Sequence, residues 1–432
     1  MSDDNVAALP RHAPLDPTIH RFTPHLRKQD GHIDALYRNF RIRSAYQPIY
    51  SFAHNRPVGF EALARTWDER GEAISPGALL SADRSSEGIV FLDRLLRALH
   101  LANFNGPPYD DAWLFLNVSP EVVIHGRAYG PFFREALKAY GVQPQRIVIE
   151  ITEGDSQDEN ALEEATRYYR ELGCLVAIDD FGAGHSNFNR IWRLHPDIVK
   201  LDRVMIARAT QDPTARRGLI GVTGLLHEMG ALVLAEGVET DEEAVLSLHA
   251  EVDLLQGYLF GRPFVGTAPP LINAVRFDAL RATLGRSTRN EEAEFQALLR
   301  PHLALFDRAA DLLAGGSPLA DAVAELLGSP PVMRCYLLDA LGAQKCENIT
   351  SPGYARRRDL RHDPLGSAIG ANWMHRHYFR RAMSSIGRSQ ISRPYLSLTD
   401  PQMCITLSRA VAKGTDLEVL CCDLEYPLAR PS

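Results

Sequence analysis

The sequence predicts an α/β barrel of the (β/α)8 kind, with one strand running against the others, joined to a smaller α+β domain. Three observations carry this reading. From Ser44 to about Phe264, short apolar runs alternate with helical patterns. Many of those runs end in a carboxylate, an amide or an amine. Near Thr267 the pattern changes to helix, and beyond Pro330 it becomes strand-rich. Repeated strand and helix units give either a closed barrel or a doubly wound sheet. Polar residues at the C-terminal ends of many strands favour the barrel, because an open sheet concentrates its site at one switch point. No Gly-rich nucleotide fingerprint follows the first strand.

The eight candidate strands are residues 44–51, 57–63, 113–118, 146–151, 174–179, 197–201, 232–236 and 253–256. Between the first two, Phe52-Ala53-His54-Asn55-Arg56 is too short for a crossover helix, so this pair must be a hairpin. Leu92-Leu95-Leu96-Leu99, Leu162 to Leu172 and Leu219 to Met229 carry apolar residues at helical spacings. The resulting division is a flexible N-terminal arm over 1–33, the barrel over 34–268, a helical connector over 269–329 and a second domain over 330–432. In the connector, Leu271 to Leu284 and Glu291 to Ala314 read as two helices. In the second domain, Met333 to Asp339 with Lys345 to Thr350, and Met403 to Val411 with Leu417 to Leu424, read as hairpins, and Trp373 to Met383 as a helix.

A length of 432 residues exceeds the roughly 250 to 300 at which single cores stop growing, which agrees with two domains. The net charge of −7 gives no basic footprint for extended nucleic acid, while a small phosphate ligand remains compatible. Six cysteines, Cys174, Cys335, Cys346, Cys404, Cys421 and Cys422, show no Cys-x-x-Cys spacing and read as reduced thiols of a cytoplasmic protein. Adjacent Cys421 and Cys422 on a strand point to opposite faces, which argues against a redox pair. No stretch approaches the roughly 18 apolar residues of a membrane span, and the start lacks a signal-peptide pattern.

The strand-end residues carry the chemistry. Glu61, Asn117, Glu150, Asp179, Asp180 and Glu236 offer only hard oxygen ligands, which suit Mg²⁺ or Mn²⁺ and argue against zinc or copper. Carboxylates converging without cations repel one another and protonate. Two divalent ions about 3.5 to 4 Å apart form the usual clamp for hydrolysing a phosphate ester, with one carboxylate bridging. Asp179, first of an adjacent pair, is the natural bridge. Lys200 could orient the attacking water, and Arg65 could hold a phosphate oxygen with its forked donors. Each residue alone is more simply a helix cap, a loop charge or a surface lysine. Joint occurrence at successive strand ends reverses that.

In order, the motifs are Gln47-Pro48-Ile49, Glu61-Ala62-Leu63 with Arg65, Asn117-Val118-Ser119-Pro120, Glu150-Ile151-Thr152-Glu153, Asp179 to Gly184, Lys200-Leu201-Asp202-Arg203, Ala235-Glu236-Gly237-Val238-Glu239 and Gln256-Gly257-Tyr258. Together they resemble the EAL family of cyclic di-GMP phosphodiesterases over roughly residues 35 to 268. The resemblance implies a modified TIM-type barrel with one antiparallel strand, and opening of cyclic di-GMP to linear 5'-pGpG. It implies that Glu61, Asn117, Glu150 and Asp179 hold one metal, and that Asp179, Asp180 and, directly or through water, Glu236 hold the second. Lys200 would position the nucleophilic water, Gln256 would order the metal and phosphate cluster, and Glu153 would anchor the loop after the Asp pair. Gln47, Leu63, Arg65, Asp202 and Pro263 would contact guanine or phosphate. Some members of this family have lost ligands and act only as receptors; every residue they tend to lose is present here. Departures from the family pattern are His185, Asn187-Phe188 and Ala64, and the first three fall in a loop implied in dimer contacts and metal-site control.

In the C-terminal third, Asn372-Trp373-Met374-His375-Arg376-His377-Tyr378-Phe379 and Pro394-Tyr395-Leu396-Ser397, followed by two strands, resemble PAS or Cache sensory domains. His362, His375 and His377 read as polar residues around a small pocket rather than as a metal or haem site. These features imply a homodimer whose second domain takes a small-molecule or protein signal and passes it to the barrel through the connecting helices. The alternative is a receptor that binds cyclic di-GMP without turnover.

Overall fold

A hairpin at the start of the barrel sets the direction of every other strand. In chain order the first sheet contains β1 (Leu26–Gln29), β2 (His32–Tyr37), β3 (Phe40–Ser51), β4 (Arg56–Trp67), β5 (Ala73–Ile74), β6 (Trp113–Asn117), β7 (Ile147–Thr152), β8 (Leu175–Phe181), β9 (Ile198–Leu201), β10 (Leu232–Ala235) and β11 (Leu254–Gln256). Their spatial order is β1-β2-β3-β11-β10-β9-β8-β7-β6-β4-β5, and an additional β3–β4 pairing closes eight of them into a ring. β3 is antiparallel to both β4 and β11, and the remaining ring pairings are parallel. The computed structural model describes residues 17–29, 31–80, 85–104, 109–119, 122–123, 132–152, 158–184, 188–266, 274–354, 367–398, 402–414 and 416–428.

The ring is filled from inside by Ile49, Phe115, Val148, Ala177, Ile198, Leu234 and Leu254. Gly59 belongs to the same layer: a Cβ there would lie 2.7 Å from the Phe115 ring, so the absence of a side chain makes room for a phenyl group. Outside the ring, helices such as Ser86–Asn103, Glu159–Leu172 and Pro213–Glu228 pack their apolar stripes against the strands. Asp158 caps the second of these through two backbone amides, and Gly173 in the left-handed conformation ends it.

Residues 17–29 correct the expected mobile arm. Pro17–His20 is helical and β1 pairs with β2. Ile19 and Phe22 are buried, with Phe22 packed against Phe91 and Phe132. A few apolar residues without a period are enough to anchor a segment when an existing core offers them a surface.

Two compact units divide the chain, Met1–Arg286 and Ser287–Ser432. The connector expected over 269–329 is split between them, at Arg286/Ser287. The two helices expected there are one helix, Ala274–Ala314, followed by Leu319–Leu327. Gly285 and Pro301 lie within the long helix without ending it. Phe277 and Leu280 belong to the first unit's core, whereas Leu299, Phe306 and Leu313 belong to the second unit's core.

The second unit is an antiparallel sheet of order β13-β12-β17-β16-β14, with β15 also on β16. Its strands are β12 (Val332–Asp339), β13 (Ile349–Thr350), β14 (Gln390–Ile391), β15 (Tyr395–Leu396), β16 (Met403–Lys413) and β17 (Asp416–Glu425). The β16–β17 hairpin matches expectation, while β13 is shorter than expected and the helix begins at His377 rather than Trp373. Cys421 and Cys422 do face opposite sides, since they fall in different apolar clusters, one on each face of the sheet.

Candidate active site

One step along each strand from the barrel's apolar filling lies a polar residue. Phe115 is followed two residues on by Asn117, Val148 by Glu150, Ala177 by Asp179, Ile198 by Lys200, Leu234 by Glu236 and Leu254 by Gln256. Side chains two apart on a strand share a face, so these polar groups form the next layer towards the C-terminal ends of the parallel strands. On the reversed strand the order inverts: Gln47 precedes Ile49 by two, and it lies directly opposite Glu61 on β4. Glu61, in turn, is two residues past Gly59.

Lys200 is at the centre of this layer, 1% exposed. Its Nζ contacts Glu150 Oε1, lies 3.0 Å from Asp179 Oδ1 and 2.5 Å from Glu236 Oε1. Oxygens of these three carboxylates all lie within 4.8 Å of one another. Glu61 joins from the side, accepting hydrogen bonds from Gln256 Nε2 at 2.6 Å and Asn117 Nδ2 at 3.2 Å. Asp180 is outside the three-carboxylate set. A break in the β8–β9 register at Ile178/Phe181 and a φ of 60° at Asp180 turn the chain there, and the Asp180 N–H donates to Asp179 Oδ1 at 2.9 Å.

One ammonium does not balance this many carboxylates in a buried setting. Burial pushes the Glu150 carboxyl well above its ordinary range; Lys200 opposes the shift, and Glu61 and Asp179 add to it. Burial likewise pushes Glu236 up to about 8, against Lys200 and with Asp179 and Glu61. For Lys200, burial would lower the pKa, but Glu150, Glu236, Glu61 and Asp179 outweigh it and hold the ammonium well above its usual value. The donor set fits a hard divalent cation. All its carboxylate and amide oxygens are hard, and the buried Glu150 Oε2 and Gln256 Oε1 receive no hydrogen bond.

The other residues expected at the site take several positions. Gln47 Nε2 donates to Gly261 O at 3.2 Å. Leu63 and Arg65 continue the Glu61 face of β4, half-buried, with an Arg65 Nη donating to Ala64 O. Pro263 is beside the backbone pairing of Phe264 with Tyr46, which brings it next to Gln47. Asp202 caps the helix Arg203–Gln211 by accepting from Val204 N at 2.8 Å. Glu153, His185 and Asn187 lie outside the described residues.

A cavity of about 220 Å³ opens over this layer, lined by Gln47, Glu61, Glu236 and Gln256 together with Arg203, Glu239 and Tyr258. The last three have no role in the sequence reading. Arg203 and Glu239 form a two-pronged ion pair at 2.7 and 2.9 Å, from segments 36 residues apart. Gly237, with φ 62°, lets the Arg203 stem pass: a Cβ there would lie 2.7 Å from it. Tyr258 is 49% exposed with the Arg262 guanidinium 4.0 Å above its ring. Nothing in the local sequence separates such an exposed tyrosine from a core one.

The sequence profile of the EAL domain matches residues 33–263, over half of the chain. The chain belongs to the EAL domain family. RocR of Pseudomonas aeruginosa, named a cyclic di-GMP phosphodiesterase, is 29% identical over 234 residues, which is 52% of this chain and 58% of RocR. Escherichia coli PdeF, also named a cyclic di-GMP phosphodiesterase, is 29% identical over 238 residues, 52% of this chain and 31% of PdeF. The chain thus spans less than two thirds of either relative. The Bacillus subtilis YkuI protein, solved with its EAL domain in complex with substrate c-di-GMP and calcium, superimposes with a TM-score of 0.72 at 25% identity. That match covers 89% of this chain and 96% of YkuI, so it extends beyond the EAL barrel into the second unit. Among the described residues, no helix is long and apolar enough to cross a membrane.

Proposed function

We propose that this EAL protein hydrolyses cyclic di-GMP to linear 5'-pGpG with two divalent ions, Mg²⁺ or Mn²⁺. The observation that carries the reading is the convergence of Glu150, Asp179 and Glu236 on Lys200 at the mouth of an EAL barrel. Glu61, Asn117, Glu150 and Asp179 would hold one ion, and Asp179, Asp180 and Glu236 the other. Bound there, the ions would supply a water acidified for attack and charge neutralisation at the phosphodiester.

The chain's own residues bind and orient. Lys200 would hold the attacking water by hydrogen bond and offset charge on the phosphoryl oxygens. Gln256 fixes the Glu61 carboxylate through its amide. Gln47, Leu63, Arg65, Asp202 and Pro263 would contact guanine and phosphate, and Glu153 would anchor the loop that follows the Asp pair. The chain would act in the cytoplasm as a homodimer, its second unit taking a small-molecule or protein signal.

Purified protein incubated with cyclic di-GMP and Mg²⁺ or Mn²⁺ should yield pGpG. Binding without product, under conditions in which an active relative turns over, would establish the receptor reading instead.

A further inference from the structure

Residues 364–399 contain five arginines and two histidines but no aspartate or glutamate. The second unit gathers part of this segment around a cavity of about 750 Å³, lined by Arg376, His377, Tyr378, Arg381, Arg393 and Tyr395 among others. Arg376 is fixed there: its guanidinium lies over the Trp373 ring at 5.9 Å and the Tyr395 ring at 5.6 Å. Arg381 is held at the edge by donating to Ile391 O at 3.3 Å. Among the described residues, no carboxylate forms an ion pair with Arg376, Arg381 or Arg393.

The helix His377–Ser384 sharpens the imbalance. Its N-cap is Arg376, which supplies no capping hydrogen bond, and its first turn contains no acid. Helix N-termini carry positive partial charge and favour anions, so an arginine and a histidine there are set against the helix field. A solvated charge run would leave its arginines extended and mobile. Here one guanidinium lies over two aromatic rings, and the cations line a concavity.

We propose that this cavity is a binding site for a small polyanion bearing phosphate or carboxylate groups, held by Arg376, Arg381 and Arg393. Guanidinium forks match both oxyanions in two-pronged geometry, and the anion would relieve the repulsion among the three cations. The narrower polar cleft beyond the Arg376, Tyr378 and Tyr395 wall is lined by the buried Arg334–Asp423 pair, which is already satisfied internally, so it adds no second unpaired cation.

The test is calorimetric titration of the metal-free full chain, at constant ionic strength, with pyrophosphate in one arm and citrate in the other. Saturable binding of either anion is expected. It should weaken by about tenfold or more in Arg376→Gln and in the Arg381→Ala/Arg393→Ala double variant, the usual loss for a charged hydrogen bond. Arg65→Ala, in the barrel, should leave it unchanged. No saturable binding of either anion, or loss in Arg65→Ala instead, would overturn the proposal. Because the arginine variants alter exposed or half-buried side chains, their melting temperatures without anion should match the parent, which separates lost binding from lost fold.

Discussion

The carboxylate of Asp93 accepts the backbone N–H of Ser119 at 2.9 Å, two residues beyond Asn117. Asp93 itself is held by Arg97, and an Arg97 Nη donates to Tyr169 OH at 3.2 Å. Asp93 and Arg97 are 7% and 3% exposed, so this chain of contacts ties the end of β6 to two outer helices from within the protein. In Asp93→Ala the buried Arg97 loses the carboxylate it is paired with, a change that costs about 3 to 5 kcal/mol. Denaturant unfolding should show that loss. Mn²⁺ affinity should fall by about tenfold or more as the Asn117 strand end loosens. A destabilised variant with parental Mn²⁺ affinity would show that Asp93 serves the fold alone.

Glu61→Ala removes the acceptor shared by Asn117 and Gln256. Turnover of cyclic di-GMP should disappear while circular dichroism and melting stay close to the parent, because Glu61 is at the mouth rather than in the apolar filling. Retained turnover would contradict its role as a metal ligand.

Lys200→Met removes the cation seated among Glu150, Asp179 and Glu236. The metal-free variant should melt below the parent, and saturating Mn²⁺ should narrow that gap by supplying positive charge in its place. Turnover should remain at least about a hundredfold low with metal present, since the ammonium that would hold the water and offset phosphoryl charge is gone. Equal melting of both proteins without metal would refute the electrostatic part of this account.

His100 gives a pH dependence independent of the metal site. Burial lowers its pKa from 6.5 to about 3, and Ser44 Oγ lies 2.9 Å from its Nδ1. Between these values the unfolded chain binds a proton that the folded chain refuses. Stability is therefore full above about pH 6.5 and falls as pH drops towards 3, at up to about 1.4 kcal/mol per pH unit. His100→Gln should flatten that part of the acid-unfolding curve, read as fluorescence against pH. An unchanged slope would rule out His100 as the source.

How much of the site was readable in the sequence follows from its period. Glu150, Asp179, Lys200, Glu236 and Gln256 each close an apolar run, so a strand-by-strand reading reaches them, and the five-residue link at Phe52–Arg56 forces the hairpin that reverses β3. Arg203, Glu239 and Tyr258 escape such a reading because their place at the cavity depends on contacts between separate loops. Asp93 escapes it because an acid inside an amphipathic helix looks like a solvated charge until its partners are known.

The sequence by itself determined the barrel, its reversed strand and the family, because strand period, link length and motif order are local properties of the chain. Only the tertiary structure decided which oxygens meet around Lys200, that the backbone turns at Asp180, that residues 17–29 are anchored, and that the arginines of the second unit share one cavity. Those outcomes depend on strand register, packing and charge brought together across long separations, and no local pattern encodes them.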